Sequence, residues 1–173
     1  KQKDIHITHQ TGESDFERVK SQYENSGISH DVRPFIDNMA EQYRKASLVI
    51  CRAGATTLAE VTACGKVSVL IPYPHAAHNH QEKNARVLNS ANAGELVLDQ
   101  DLSGPRIAQS ILHAMEDPER LQEMEENSYR LGNREATEKV RLLCMELLKD
   151  ANTNSGKTGK TGKIHGNYVL SCF

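Results

Sequence analysis

Two hydrophobic periodicities alternate along the chain as far as residue 98, and this alternation restricts the fold more than any other feature of the sequence. Short runs with the apolar character of β-strands are each followed by a segment with the spacing of an α-helix. Strands are predicted over residues 4–9, 30–35, 48–51, 67–71 and 95–98. Because strands that alternate with helices form parallel sheets through right-handed crossovers, the pattern predicts an α/β fold with a Rossmann-like parallel sheet and flanking helices.

Helices are predicted between these strands and after the last of them. Their predicted ranges are residues 14–26, 39–46, 55–64, 79–91, 103–115, 118–131 and 135–148. Ser14 and Glu17 have capping-box spacing at the start of the first helix, and Asn38 can cap the second. Since ligands bind beyond the carboxyl ends of parallel strands, the loops that follow residues 35, 51 and 71 are the places where a site is expected.

The composition excludes several functional classes. The 21 Lys and Arg residues against 23 Asp and Glu leave a net charge of −2, so we expect no nucleic-acid partner. No apolar run approaches the roughly 20 residues that a membrane-spanning helix needs. The four cysteines form no Cys-x-x-Cys pair, which argues against a zinc ribbon and favours a reducing, cytoplasmic setting.

The end of the chain differs in composition from the rest. Residues 151–173 repeat Thr-Gly-Lys and contain three lysines but no acidic residue. We therefore predict one folded domain over residues 1–149 and a flexible Gly/Lys/Thr-rich tail over residues 150–173. A weak attraction of these lysines to anionic surfaces stays open as an alternative.

A glycine separates the third predicted strand from the helix that follows it. Around Gly54 the side chains are small, so a phosphate could approach the free backbone N–H groups at the start of the helix; an ordinary helix start is the alternative. Glu60 follows Thr56 by four residues and Thr57 by three, so it lies on the same face of the helix. From there its carboxylate can accept hydrogen bonds from a ribose diol, although it could also be a plain exposed glutamate.

The segment after the fourth predicted strand, residues 72–85, is rich in neutral hydrogen-bonding side chains, which can bind sugar hydroxyls. It contains His75, His78 and His80. These histidines could instead bind zinc, but no fourth ligand is evident, and a catalytic histidine would lack a Ser or Cys nucleophile in an elbow motif.

Four motifs together indicate a family. They are Phe-Ile-Asp-Asn-Met at 35–39, Cys-Arg-Ala-Gly-Ala-Thr-Thr-Leu-Ala-Glu at 51–60, Ile-Pro-Tyr-Pro at 71–74 and Asn-His-Gln-Glu-Lys-Asn-Ala at 79–85. In order and spacing, residues 3–148 resemble the donor-binding half of the MurG family of bacterial cell-wall glycosyltransferases, which are GT-B enzymes of family 28. The resemblance implies the C-terminal half of a GT-B fold, incomplete at its N-terminus because the first strand and a Gly-rich loop have no counterpart here.

The resemblance also assigns substrate-binding roles to individual residues. Phe35 would pack on the uracil ring, the Ile36 backbone would pair with its polar edge, and Glu60 would bind the ribose. The helix start would hold the diphosphate and sugar through backbone donors at Gly54, Ala55, Thr56 and Thr57. The side chains of Gln81 and Asn84 would bind the GlcNAc hydroxyls, with His80 beside them.

The implied activity is inverting transfer of GlcNAc from UDP-GlcNAc to lipid I, which gives lipid II for peptidoglycan synthesis. No cofactor or metal is expected, and no catalytic residue is assigned here, because the family's base and its lipid I site belong to an N-terminal domain without a counterpart in this sequence. The chain alone is therefore expected to be inactive. Membrane contact would be peripheral, at the cytoplasmic face. Half of another GT-B enzyme or of a UDP-sugar epimerase, a noncatalytic UDP-sugar module and a folded remnant stay open.

Overall fold

The computed structural model describes residues 5–155, and its strands form two parallel sheets with flanking helices. The strands are β1 (His6–Gln10), β2 (Ser29–Arg33), β3 (Val49–Cys51), β4 (Ser68–Leu70) and β5 (Gly94–Leu96). β1 pairs with β2, and β4 lies between β3 and β5. The α/β class, the parallel pairing and the flanking helices are confirmed, and the strands form two groups that are not hydrogen-bonded to each other.

The two sheets are separate because β2 and β3 are consecutive in sequence but are not neighbours in space. The common strand order of a Rossmann fold is 3-2-1-4-5-6. If β2 and β1 take positions 3 and 2, and β3, β4 and β5 take positions 4, 5 and 6, position 1 has no strand among residues 5–155. Periodicity alone does not show this, because it predicts strands and not which strands are neighbours, whereas the family resemblance does predict a fold without its first strand.

The described helices follow the predicted order, and most of their ends differ from the predicted ones, whereas the predicted bounds of the helix over residues 118–131 are confirmed. They are α1 (Phe16–Glu24), α2 (Met39–Lys45), α3 (Ala55–Ala63), α4 (His80–Ser90), α5 (Gly104–Glu116), α6 (Pro118–Leu131) and α7 (Ala136–Ser155). The predicted capping box of Ser14 is wrong, because Asp15 is the N-cap of α1 and its side chain accepts no cap bond. The Asn38 side chain does cap α2, accepting a hydrogen bond from the Glu41 N–H.

The last helix continues beyond its predicted end at residue 148. α7 extends to Ser155, so the first residues of the predicted flexible tail are helical. The repeated Thr-Gly-Lys segment lies outside the described residues.

The main core lies between the three-stranded sheet and helices α3 and α4. All three residues of β4 are buried, as expected for a strand that is paired on both sides and covered by helices. Leu58 of α3 and Leu88 of α4 meet Leu70 in this cluster. α6 packs against α3 from outside, where the Ser128 hydroxyl donates to the Lys66 carbonyl at 2.9 Å. α3 begins at Ala55, shortly after β3 ends at Cys51, so its amino end lies at the carboxyl edge of the sheet.

Candidate nucleotide-sugar site

Arg52 joins the loops that follow β3 and β4. Its Nη1 donates to the carbonyl oxygens of Ile71 and Pro72, at 3.2 and 3.1 Å, and lies 3.2 Å from Asp99 Oδ1. Its guanidinium carbon is 5.8 Å from the centroid of the Tyr73 ring. One side chain thus holds together three connections at the carboxyl edge of the sheet, where the site is expected.

The amino end of α3 offers backbone donors without a competing side chain. Gly54 is the N-cap and makes no side-chain cap hydrogen bond, and the first bond within the helix runs from the Leu58 N–H to the Gly54 carbonyl. The N–H groups of the first turn therefore lack acceptors within the helix, and the helix dipole favours an anion there. A Cβ added at Gly54 would find its nearest neighbour, Thr57 Oγ1, at 3.9 Å. The fold therefore has room for a side chain at this position. The absence of a side chain would instead allow a ligand to come close to the backbone N–H groups.

Glu60 lies on the exposed surface of α3, and a buried tyrosine contacts it. The Tyr43 hydroxyl, on α2, donates to Glu60 Oε2 at 3.0 Å. Burial, and then the hydrogen bond to Glu60, raise the pKa of Tyr43 far above its ordinary value, so its hydroxyl stays protonated. Tyr43 is 5% exposed, which holds the donor in one place.

The two amide side chains of α4 are tied to the neighbouring loops. Gln81 Oε1 accepts a hydrogen bond from the Tyr73 N–H at 2.9 Å. Asn84 Nδ2 donates to the Ala53 carbonyl oxygen at 3.3 Å. These contacts place both predicted sugar-binding residues against the loops that follow β3 and β4.

The predicted base-binding residues differ in exposure. The Phe35 ring is 65% exposed, whereas Ile36 is 5% exposed. The Ile36 N–H donates to Gln10 Oε1 at 2.9 Å, so the Ile36 carbonyl is the backbone group left for a ligand. α2 begins at Met39, just after these residues, and its Tyr43 contact with Glu60 links the loop of the predicted base-binding residues to α3.

The histidines after β4 do not converge. His75 packs edge-to-face on Tyr73 and His80 Nδ1 lies 2.7 Å from the Ala77 carbonyl oxygen, while His78 adopts a left-handed backbone conformation. Within residues 5–155 no three His, Cys, Asp or Glu side chains come together as a metal-binding group. The Cys51 thiol offers no nucleophile at neutral pH, because burial raises its pKa to about 11.

Sequence reasoning missed Arg52 and Tyr43. A charged residue directly after a buried strand was a usable signal for Arg52, because that position lies at the carboxyl edge of the sheet. Tyr43 carried no such signal, since its partner is 17 residues away on another helix. No helix within residues 5–155 is long and apolar enough to cross a membrane.

Comparisons with known proteins agree with one another. A family model described as the glycosyltransferase family 28 C-terminal domain matches residues 1–141. A Geobacter sulfurreducens protein named UDP-N-acetylglucosamine--N-acetylmuramyl-(pentapeptide) pyrophosphoryl-undecaprenol N-acetylglucosamine transferase is 50% identical over 136 residues, which are 79% of this chain and 37% of that protein. A protein of the same name from Anaeromyxobacter sp. strain K is 47% identical over 145 residues, which are 84% of this chain and 38% of that protein.

A solved structure shares the fold. The crystal structure of Acinetobacter baumannii MurG superposes with a TM-score of 0.75 at 29% sequence identity, covering 84% of this chain and 42% of that chain. The present chain therefore spans less than half the length of the relatives it resembles.

Proposed function

The chain belongs to the glycosyltransferase family 28 C-terminal domain family, and we propose that it forms the UDP-GlcNAc-binding part of an enzyme that transfers GlcNAc to lipid I. The product would be lipid II, a precursor of peptidoglycan. The names of the relatives support this donor and acceptor. The match to the C-terminal domain of the family supports donor binding as the part of this chain, since the sequence motifs resemble the donor-binding half.

One observation carries the proposal. The N-cap glycine of α3 leaves the first-turn N–H groups without a side-chain acceptor, and the Gln81 and Asn84 amides of α4 contact the loops beside this helix end. A diphosphate can bind at such a helix end through backbone donors and the helix dipole. Glu60, one turn into the helix, is then available to a ribose, and Gln81 and Asn84 to a sugar.

The chemistry follows from where charge develops. When the glycosidic bond to UDP breaks, negative charge grows on the departing diphosphate. Preorganised N–H groups at the start of α3 would stabilise that charge without a bound metal. The base that deprotonates the acceptor hydroxyl would come from outside these residues, so we expect the 173-residue chain to make no lipid II. A cytoplasmic nucleotide sugar and a lipid acceptor together favour the cytoplasmic face of the membrane as the place of action.

Calorimetric titration of the 173-residue chain tests the donor. We expect heat of binding with UDP-GlcNAc, and weaker binding both of UDP, which lacks the sugar, and of UDP-glucose, which lacks the N-acetyl group. Equal affinity for several UDP-sugars would favour another GT-B enzyme or an epimerase half. Absence of heat with millimolar UDP and UDP-GlcNAc would contradict the proposal and indicate a folded remnant.

A further inference from the structure

We propose that Tyr43 is a positioning residue that holds the Glu60 carboxylate ready for a ribose. Glu60 is exposed, so it can reach a ligand, but its exposed position alone does not fix its side chain. Tyr43 is 5% exposed, so its position is fixed but it cannot contact a ligand itself. Their contact is a single hydrogen bond of 3.0 Å between the Tyr43 hydroxyl and Glu60 Oε2, which joins α2 to α3.

An exposed glutamate has several rotamers, and a ligand that binds only one of them must offset the lost side-chain entropy. The Tyr43 hydroxyl removes part of that cost before the ligand arrives, because it holds one carboxylate oxygen in place. The other oxygen, Oε1, stays available to ribose hydroxyls, which can donate to it. Since Tyr43 keeps its proton, it acts as a donor to Glu60 over the whole physiological pH range.

The position of Tyr43 in the chain gives the contact a second effect. α2 follows directly on Phe35 and Ile36, the residues expected to hold the base. Tyr43 is the buried residue of α2, so it anchors this helix and the loop before it. The hydrogen bond to Glu60 thus sets the spacing between the base-binding loop and the helix end expected to hold the diphosphate. A nucleoside diphosphate that binds here would place its base at the loop and its diphosphate at the helix end, so the distance between these two groups would have to match that spacing.

The inference rests on the proposed function, because it needs a ribose at Glu60. Its test is Tyr43→Phe in the 173-residue chain, titrated with UDP and with 2′,3′-dideoxyuridine diphosphate, which lacks both ribose hydroxyls. We expect the variant to bind UDP about five- to tenfold more weakly than the wild type and to bind the dideoxy ligand equally well.

Two further variants complete the design. Tyr23→Phe removes the hydroxyl of a second, half-buried tyrosine, which hydrogen-bonds His9 at 3.3 Å, and should leave the affinity for both ligands unchanged. Glu60→Asp shortens the carboxylate side chain by one methylene, so that it cannot reach Tyr43 and the ribose together. It should reproduce the selective loss for UDP while leaving Tyr43 intact, even if Tyr43→Phe folds poorly.

The possible outcomes separate the two claims. If the wild type binds UDP and Tyr43→Phe binds it equally well, the positioning role is overturned while the proposed function stands. Equal losses for UDP and the dideoxy ligand would mean that Tyr43 only supports the fold, which also overturns the inference. A wild type that binds neither ligand would overturn both claims.

Discussion

At the scale of single residues, the hydrogen bonds of the Gln81 and Asn84 side-chain amides determine which polar groups the candidate site can offer to a ligand. The oxygen of the Gln81 amide is held by the Tyr73 N–H, which leaves its NH₂ group as a donor. The NH₂ group of Asn84 is held by the Ala53 carbonyl, which leaves its oxygen as an acceptor. Sugar hydroxyls both donate and accept, so a donor and an acceptor one helical turn apart are suited to them.

Gln81→Glu should remove the side-chain NH₂ donor and keep the hydrogen bond from the Tyr73 N–H. The remaining carboxylate oxygen would still accept from the Tyr73 N–H, while the NH₂ group would become a second acceptor. The added negative charge should weaken both ligands alike, so we expect the affinity for UDP-GlcNAc to fall about tenfold more than that for UDP, in line with the loss of one hydrogen bond to the sugar. Calorimetry with both ligands measures this. Equal losses for the two ligands would remove Gln81 from the sugar subsite.

Gly54→Ser should change stability and binding in opposite directions. A serine N-cap would accept a hydrogen bond from the first turn of α3, which stabilises the helix by a few tenths of a kcal/mol relative to glycine. The same hydroxyl would compete with a phosphate, so the affinity for UDP should fall about tenfold. Thermal unfolding and calorimetry measure the two effects.

Gly104→Ser is the matched control for that change. A Cβ at Gly104, at the start of α5, would meet no atom within 4 Å, and the position lies outside the candidate site. It should leave UDP binding unchanged. Undiminished UDP binding by Gly54→Ser would contradict the role assigned to this helix end.

The local parts of the site were predictable from the sequence, and the long-range contacts were not. Gly54 and Glu60 lie in one continuous segment, so their spacing on a helix could be read directly. Arg52 contacts Asp99, and Tyr43 contacts Glu60, across long stretches of chain. Such pairs depend on how helices and loops pack, and one sequence does not contain that information in a periodic form.

At the scale of elements, the contact of α6 with α3 leaves no spare space. Gly132 is the C-cap of α6, and a Cβ added there would lie 2.5 Å from the Thr62 carbonyl oxygen. That oxygen belongs to the backbone of α3, so it cannot move as a flexible side chain would. The contact thus transmits any displacement of α6 to the helix that carries the candidate diphosphate site.

Gly132→Ala should destabilise the protein by about 1–3 kcal/mol, the usual cost of overpacking. Gly104→Ala is the control, because it adds the same methyl group in open space. We expect the control to be neutral or slightly stabilising, since alanine restricts the unfolded chain. Urea unfolding followed by circular dichroism compares the two. Similar midpoints for both variants would show that α6 can shift without cost.

Element ends were predicted less well than element types. The start of α1 follows Asp15 and not the capping box at Ser14, and the Asp15 carboxylate pairs with Arg18 instead of capping the helix. The end of α7 at Ser155 lies beyond the last residues of its apolar stripe. The fold class, by contrast, depended on a pattern repeated in every strand, so local errors did not affect it.

At the scale of the whole molecule, the two sheets should differ in stability. β4 is paired on both sides and fully buried, whereas β1 pairs with β2 alone and none of the residues of β1 is fully buried. Few contacts join the first strand pair to the rest of the chain. Strand pairs with so little support open by local unfolding more readily than a core strand does.

Hydrogen exchange should make this difference visible. We expect the amides of β4 to exchange most slowly and those of β1 and β2 to exchange faster, as a group, because the pair can open without the main core. Mass spectrometry of the exchanging 173-residue chain resolves both regions. Equal protection of β1 and β4 would mean that the sheets unfold as one unit.

The division into two sheets has a consequence for how the chain folds. Every strand pairing connects strands that are consecutive within their own sheet and are joined by one helix-containing crossover. Each pairing therefore closes a short loop, and short loops lose little entropy when they close. A chain with such local pairings is expected to fold faster than a parallel sheet of the same size in which strands far apart in sequence pair.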